Sequence, residues 1–231
     1  MKYTLLKQVP FLCSAFLILF SMPQLAPAQL SSIIPEGLGF EIGLGHNQLF
    51  WKAVDFDGTT LRGNRTALSV MPSARIHYKV SVTQMAGLYT FFGYNEFGGR
   101  STEGPHRSFL EPDVLYKDRF RFQNLEAGVS GLYRIAGFNA GLGAKVNHHL
   151  RKTQRYHFKN HPMGRDGWQT SGFDLFKDWS ADAGIRIEYA LLNGITLAGE
   201  GWFGLTELSD MEGFTTYVRQ NHYRFLIGYR L

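Results

Sequence analysis

Apolar and polar residues alternate with a period of two along most of the chain, and helical periodicity is scarce. Such alternation predicts β-strands, because successive side chains of a strand point to opposite faces of the sheet. The clearest case ends the sequence. From Tyr223 to Tyr229 every second residue is apolar or aromatic, whereas the opposite face carries Arg224 and Arg230.

The same pattern predicts eight strands. They lie near residues 38–49, 66–78, 83–94, 119–133, 138–150, 177–190, 195–206 and 217–231. The faces of the strand near 83–94 are ambiguous. Pro72 cannot donate a ladder hydrogen bond, so we expect it at a bulge and not at a regular central position.

The connections between these strands alternate in length. Long ones are predicted near 50–65, 95–118, 151–176 and 207–216, and short ones near 79–82, 134–137 and 191–194. The last short connection contains Asn193-Gly194, a strong signal for a tight hairpin turn. Short turns on one side and long loops on the other are typical of outer-membrane barrels. The predicted fold is therefore all-β, an eight-stranded antiparallel up-and-down transmembrane β-barrel.

The N-terminus has the features of a secretory signal peptide. Lys2 and Lys7 precede an apolar run at 11–20, which is followed by the cleavage motif Ala26-Pro27-Ala28. The run is short for a membrane anchor, the alternative interpretation. We therefore predict a cleaved signal peptide at 1–28, a periplasmic lead-in at 29–37 and the barrel at 38–231.

Composition narrows the function classes. The chain is 44% hydrophobic and 15% aromatic but only 19% charged. Its formal charge of +5 falls to +3 when Lys2 and Lys7 are removed with the signal peptide, so nucleic-acid binding is not expected. The single cysteine, Cys13, lies in the signal peptide, and the mature chain should have neither disulfides nor cysteine-ligated metal.

The polar faces of the predicted strands carry five acids and five bases. A narrow polar lumen needs such a balance, because each buried charge requires a partner. Glycines on the same face would leave room for these long side chains. A soluble lipocalin-like barrel would instead turn the charges to water and the apolar face inward. The ten residues are Glu41, Arg75, Glu126, Lys145, Asp182, Arg186, Glu188, Glu200, Arg224 and Arg230.

Aromatic residues on the apolar faces lie near strand ends, beside the short turns. Tyr and Trp favour the head-group level of a membrane, so these positions predict an interfacial girdle. The residues are Tyr78, Tyr133, Phe138, Trp179, Tyr189 and Tyr229.

On these features, residues 38–231 resemble the small outer-membrane β-barrel proteins, such as the OmpA transmembrane domain, OmpX and the PorT-like barrels of Bacteroidetes. The resemblance implies the outer membrane of a Gram-negative bacterium and assembly by the barrel-assembly machinery, which reads the last strand. In such proteins that strand usually ends in an aromatic residue. Leu231 departs from this pattern.

Candidate chemistry is sparse. Lipid A deacylases of this shape use a Ser, a His and an acid at the lipid-facing rim, but the His-x-Ser pattern is absent at His148-His149-Leu150, and Ser180 and Asp182 have no histidine nearby in sequence. Asp55-Phe56-Asp57-Gly58 lacks the remaining ligands of a calcium loop and is interpreted as a turn. We therefore predict no catalytic residue and no cofactor.

Four histidines raise the question of a metal site. They are His148, His149, His157 and His161. A polar surface loop is the favoured interpretation, because neither a cysteine nor a neighbouring acid completes a ligand set.

The third long connection is basic, and Arg151, Lys152 and Arg155 are candidates for contact with lipopolysaccharide phosphates. The leading functional prediction is a non-enzymatic outer-membrane barrel with a structural, adhesion or secretion-support role through its loops. The alternatives are an outer-leaflet lipid-modifying enzyme and a secreted lipocalin-like carrier.

Overall fold

The computed structural model describes residues 37–54, 60–100, 104–105, 115–135, 137–160, 166–170, 176–209 and 216–231. All of them belong to one compact unit, Ile33–Leu231. The predicted signal peptide with Cys13, the lead-in up to residue 36, the predicted turn at 55–58 and His161 lie outside the described residues.

The described residues are almost entirely β-strand. In chain order the strands are β1 (Gly37–Val54), β2 (Thr60–Ser81), β3 (Ala86–Arg100), β4 (Gly104–Pro105), β5 (Leu115–Ile135), β6 (Phe138–Lys159), β7 (Gly167–Thr170), β8 (Trp179–Ala190), β9 (Ile195–Gly204) and β10 (Thr216–Arg230). A single 3-10 turn spans Leu192–Gly194. Within the described part of the chain, no helix has the length and apolar character needed to cross a membrane.

Eight long strands close into a ring. Each pairs antiparallel with its neighbour in the chain, and β1 pairs with β10 from Gly39–Arg230 to Ala53–Thr216. The pairing of β5 with β6 completes the cylinder, while β4 flanks β5 and β7 flanks β6. The predicted eight-stranded antiparallel up-and-down barrel is confirmed.

Short connections gather at one end of the ring, here called the turn end, and the longer ones at the other, the loop end. At the turn end the β8–β9 hairpin contains the predicted pair, in which Asn193 and Gly194 have φ of 61° and 80°. These left-handed conformations suit a tight hairpin turn. Pro72 pairs with Leu44 beside a register shift in the β1–β2 ladder, and the β2–β3 ladder starts only at Ser73, so the proline disturbs little.

Several strands extend further toward the loop end than predicted. β2 begins at residue 60, β3 continues to residue 100, and β6 continues to residue 159. The predicted long connections near 50–65 and 151–176 are therefore partly strand. The physical reason is a change of polarity: the inward face becomes apolar near the loop end, and in β6 a bulge at Leu150 shifts the alternation by one residue.

The outward face of the ring is apolar around its whole circumference. Along β6 it runs from Phe138 to His148, which corresponds to about 25 Å of height for a tilted strand. We call this surface the apolar belt, and none of its outward-facing described residues is charged. Its exposed members include Leu38, Phe40, Ile42, Leu44, Ile76, Tyr78, Val80, Leu88, Phe92, Val129, Tyr133, Leu142, Val146, Trp179, Ile185, Ile195, Phe203, Phe225, Ile227 and Tyr229.

The predicted girdle aromatics lie at both edges of this belt. Phe138 packs on Tyr189 and Phe40 on Tyr229 near the turn end, with ring centroids 5.0 and 5.9 Å apart. Trp179 differs from the prediction, because it lies at the loop-end edge, where its ring is 4.3 Å from that of His148.

Candidate functional site: a charged lumen beneath an apolar plug

The interior of the barrel holds a network of charged side chains, here called the lumen network. Nine of the ten charges proposed from the sequence are buried there and form ion pairs. The exception is Arg230, which is exposed at the turn end. Lys79 occupies the lumen instead and contacts Glu188 at 2.7 Å. Lys79 falls in the short connection predicted at 79–82, because the predicted strand ends three residues before β2 does.

Arg186 is the centre of the part of the network nearer the turn end. It is 1% exposed and contacts three carboxylates: Glu41 at 2.5 Å, Glu200 at 2.7 Å and Glu188 at 2.8 Å. Arg75 contacts Glu41 at 2.7 Å and Glu200 at 2.5 Å from the opposite wall. Two guanidinium groups are therefore shared among three carboxylates.

The network continues toward the loop end without a break. Arg224 lies 3.2 Å from Glu200 and 2.6 Å from Glu126. Lys145 then links Glu126, at 2.7 Å, to Asp182, at 3.6 Å. With Lys79 counted in place of Arg230, five acids and five bases are present, so the burial of each charge is offset by an opposite one.

Aromatic rings line one side of the lumen among these charges. The rings of Tyr89, Phe91 and Trp202 form a buried cluster with Leu132. The guanidinium of Arg186 lies 4.2 Å from the Tyr89 ring centroid, and that of Arg75 lies 4.4 Å from Phe91. Cation–π attraction adds to the ion pairs here. Tyr89 and Phe91 face inward on β3, which explains why the faces of that strand were ambiguous in the sequence.

Glycines on the lumen face make room for these rings. A Cβ at Gly184 would come within 2.5 Å of the Trp202 indole, and a Cβ at Gly128 would meet the Phe91 ring. The close approach of backbone and ring at both positions requires the absence of a side chain.

A layer of amides and histidines lies above the charges. Asn147 donates to Asp182 at 2.8 Å, and Nε2 of His222 lies 3.2 Å from the same carboxylate. His149 lies 2.5 Å from the side-chain oxygen of Asn124.

Apolar side chains close the lumen at the loop end. This cluster, here called the apolar plug, rests on the histidine layer, since the Phe97 ring lies 5.5 Å from His149 and 5.9 Å from His222. Phe97 stacks on Phe122 at 4.7 Å. The plug consists of Leu49, Phe97, Phe120, Phe122, Leu208 and Val218, with Phe176 packed against it.

The segment before β8 covers the plug. Phe176 packs edge-on against Phe120 and Phe122, at 5.3 and 5.0 Å. The ammonium of Lys152 holds this segment in place by donating to the Phe176 carbonyl and to the Asp178 carboxylate, both at 2.6 Å. The hydrogen bond and positive charge of Lys152 lower the pKa of the exposed Asp178 carboxyl below its usual range.

The basic residues proposed to meet lipopolysaccharide are not all on one face. Arg151 and Arg155 are exposed on the outer wall of β6. Lys152 points to the inner side, where its ammonium donates to the Phe176 carbonyl and to the Asp178 carboxylate. All three lie on β6 and not in a loop.

The candidate catalytic residues lie inside the lumen, and the candidate metal-binding histidines are divided between the two faces of the wall. Ser180 and Asp182 face the lumen beside His222, and all three are buried below the plug. His148 faces outward against Trp179, whereas His149 faces inward. Within the described residues, no group of three His, Cys, Asp or Glu side chains is placed to hold a metal ion.

Known proteins resemble this chain in structure and not in sequence. No family model matches the chain, and no curated protein matches it. The solved structures similar to it include small outer-membrane β-barrels.

Three of these neighbours illustrate the level of similarity. Ail, the attachment invasion locus protein of Yersinia pestis, solved with the heparin analogue sucrose octasulfate, is 12% identical with a TM-score of 0.39, covering 86% of this chain and 100% of Ail. Neisserial surface protein A is 14% identical with a TM-score of 0.37, covering 83% and 97%. The N-terminal barrel domain of OprF from Pseudomonas aeruginosa is 10% identical with a TM-score of 0.35, covering 84% and 100%. Matches at this level bear on neither activity nor ligand.

Proposed function

We propose that this protein is an integral outer-membrane β-barrel with a sealed interior, and that it serves the envelope or cell surface through its loop end without catalysing a reaction. The observation that carries the proposal is the distribution of charge across the barrel wall. The described outward face of the belt has no charge over a height that matches the apolar core of an outer membrane, while ten charges are paired inside. A lipocalin-like carrier needs the opposite arrangement.

The sealed interior argues against a pore. Eight strands leave a lumen just wide enough for side chains, and here it is filled by the lumen network and closed by the apolar plug. In planar lipid bilayers we expect no steady conductance from the wild-type protein. A stable open channel would contradict this part of the proposal.

The absence of catalysis is proposed because Ser180, Asp182 and His222 face the lumen, where a lipid in the bilayer cannot reach them. Mass spectrometry of lipid A from cells with and without the protein tests this. We expect identical spectra, and the loss of an acyl chain upon expression would favour the deacylase alternative.

Location is tested by fractionation. We expect the protein in the outer-membrane fraction, extractable only with detergent. Its mobility in gel electrophoresis should differ between boiled and unboiled samples, because boiling unfolds the barrel. Recovery from the periplasm without detergent would overturn the proposal. The export step is part of it: removal of residues 1–28 predicts a mature N-terminus at Gln29, which N-terminal sequencing would detect.

Two partners follow from this placement. The membrane lipids, including lipopolysaccharide, would contact the belt, and the barrel-assembly machinery would read β10 during insertion.

A further inference from the structure

Three arginines lie side by side on the outer wall beyond the belt. In the strand registers, Arg100 of β3 is directly opposite Arg119 of β5, and Arg119 is directly opposite Arg155 of β6. Opposite residues of an antiparallel pair have Cβ atoms about 5 Å apart. All three side chains are exposed. We call this set the arginine row.

Two described carboxylates close to the row in sequence do not neutralise it. Asp118 is buried on the inner side of β5, and Glu96 is held by Arg121 through contacts of 2.7 to 2.9 Å. No ion pair with a carboxylate of a described residue reaches the arginine row. Like charges directly opposite one another destabilise a sheet. An anion bound between them would therefore relieve a repulsion that the fold maintains.

The position of the row indicates where that anion comes from. Arg119 lies six residues before Leu125, the last outward apolar residue of β5. At about 3.3 Å per residue and a tilt of about 40°, the row is roughly 15 Å above the edge of the belt. It faces sideways along the membrane and is continuous with the lipid-facing wall below. A molecule that covers the belt with its acyl chains would extend its head group along this surface.

We propose that the arginine row binds phosphate groups in the sugar core of lipopolysaccharide molecules packed against the barrel, an inference that rests on the proposed membrane location. Guanidinium groups bind phosphate oxygens through paired, charge-assisted hydrogen bonds, and arginine suits this geometry better than lysine. Arg151, which lies opposite Gln123 and nearer the belt, contacts the lower, lipid A phosphates. The proposed site thus draws on three strands, whereas the candidates from the sequence, Arg151, Lys152 and Arg155, all lie on β6.

The test compares matched charge removals on opposite walls. Arg119→Gln removes the middle of the row, and Arg219→Gln removes an exposed arginine on the outer wall of β10, four strands around the ring. Binding of purified lipopolysaccharide to detergent-solubilised protein is measured by titration. We expect about tenfold weaker binding for Arg119→Gln, the loss of one charge-assisted contact, and a change of less than about twofold for Arg219→Gln. Replacing all three arginines of the row should weaken binding by about a hundredfold or more.

Three probes separate the phosphates involved. Dephosphorylated lipopolysaccharide should bind weakly and equally to all variants. Lipid A without its sugar core should respond to Arg151→Gln but not to Arg119→Gln. Heparin, an anionic glycan that is not a membrane lipid, should bind less tightly than lipopolysaccharide at equal salt.

Several results would overturn the proposal. Equal losses for Arg119→Gln and Arg219→Gln would mean that only net charge matters. Wild-type affinity in the triple variant would exclude the row, and heparin binding without lipopolysaccharide binding would point to an external glycan. Heat-modifiable mobility shows that each variant is folded. Fractionation of the wild type tests the membrane location separately, because binding in detergent does not depend on it.

Discussion

The barrel wall has two regions built from the same strands: the apolar belt, and the part beyond it at the loop end. In the belt the apolar side chains face outward, whereas at the loop end they face inward. On β5, Glu126 faces inward and Val129 outward within the belt, whereas Phe122 faces inward and Arg121 outward beyond it. The backbone alternation continues through Asn124 without interruption. The belt thus has the distribution expected in lipid, and the loop end has the distribution of a soluble sheet. The point of reversal marks the level at which the surroundings of the wall change.

The largest predicted effect comes from the inside of the belt region. Arg186→Met should lower the free energy of unfolding by about 3 to 5 kcal/mol, because it leaves three buried carboxylates sharing the remaining cations. Urea unfolding in lipid vesicles measures this. Arg230→Met, at the exposed turn end, is the control and should change stability little. Equal effects of the two substitutions would mean that the lumen network does not hold the barrel together.

A new charge on the outer face should destabilise the protein more in the belt than beyond it at the loop end. Leu142 lies in the middle of the belt and is 71% exposed. Leu142→Arg should lower the free energy of unfolding by about 2 to 4 kcal/mol, because the charge enters the lipid core. Thr153→Arg, on the same strand beyond the bulge, should cost less than about 1 kcal/mol, the repulsion from Arg121 on the opposite strand, whose charge is already paired with Glu96. The same unfolding assay and the heat-modifiable fraction report both variants. If Leu142→Arg were tolerated as well as Thr153→Arg, the belt would not face lipid.

The apolar plug should be a local source of stability and of closure. Phe122→Ala should cost about 2 to 3 kcal/mol, somewhat less than in an enclosed core, because water can enter the space at the mouth. In bilayers we expect brief, small current steps at most, since the lumen network still fills the barrel. Large steady currents would show that the plug alone closes the lumen.

The smallest effect is expected where Lys152 holds the segment that precedes β8 and covers the plug. Lys152→Met removes contacts to the Phe176 carbonyl and to Asp178, and should lower the thermal midpoint slightly. The pKa of Asp178 is lowered in the folded state, so its contribution is present above the unfolded pKa and is lost as the pH falls through the folded pKa. The difference between wild type and variant should therefore shrink in acid. A difference that grows in acid would contradict the pairing.

Much of the barrel could be predicted because period-two alternation survives in single strands. The apolar face of β10 and the charges of β8 and β9 were assigned to faces that agree with the structure. The strand β3 was ambiguous because Tyr89 and Phe91, apolar by composition, face the lumen and interact with arginines.

Features that depend on register could not be predicted from one strand at a time. The arginine row requires knowing that residues 100, 119 and 155 lie at one level on three strands. The plug likewise combines side chains from several strands with the segment at Phe176. Lys79 lies one residue beyond the predicted end of β2, although the inward–outward alternation continues there from His77 to Val80. The long end of β6 lies beyond the bulge at Leu150, where the two faces exchange polarity although the backbone pairing continues.

The central claim is that the outer wall faces lipid along the belt and water beyond it at the loop end. Site-directed spin labelling tests this claim most directly. Single cysteines at Leu142, Val146, Thr153 and Arg121, with Cys13 replaced by Ser, report collision with oxygen and with a water-soluble nickel reagent in lipid vesicles. We predict high oxygen and low nickel accessibility at Leu142 and Val146, and the reverse at Thr153 and Arg121. High nickel accessibility at Leu142 and Val146 would contradict the account.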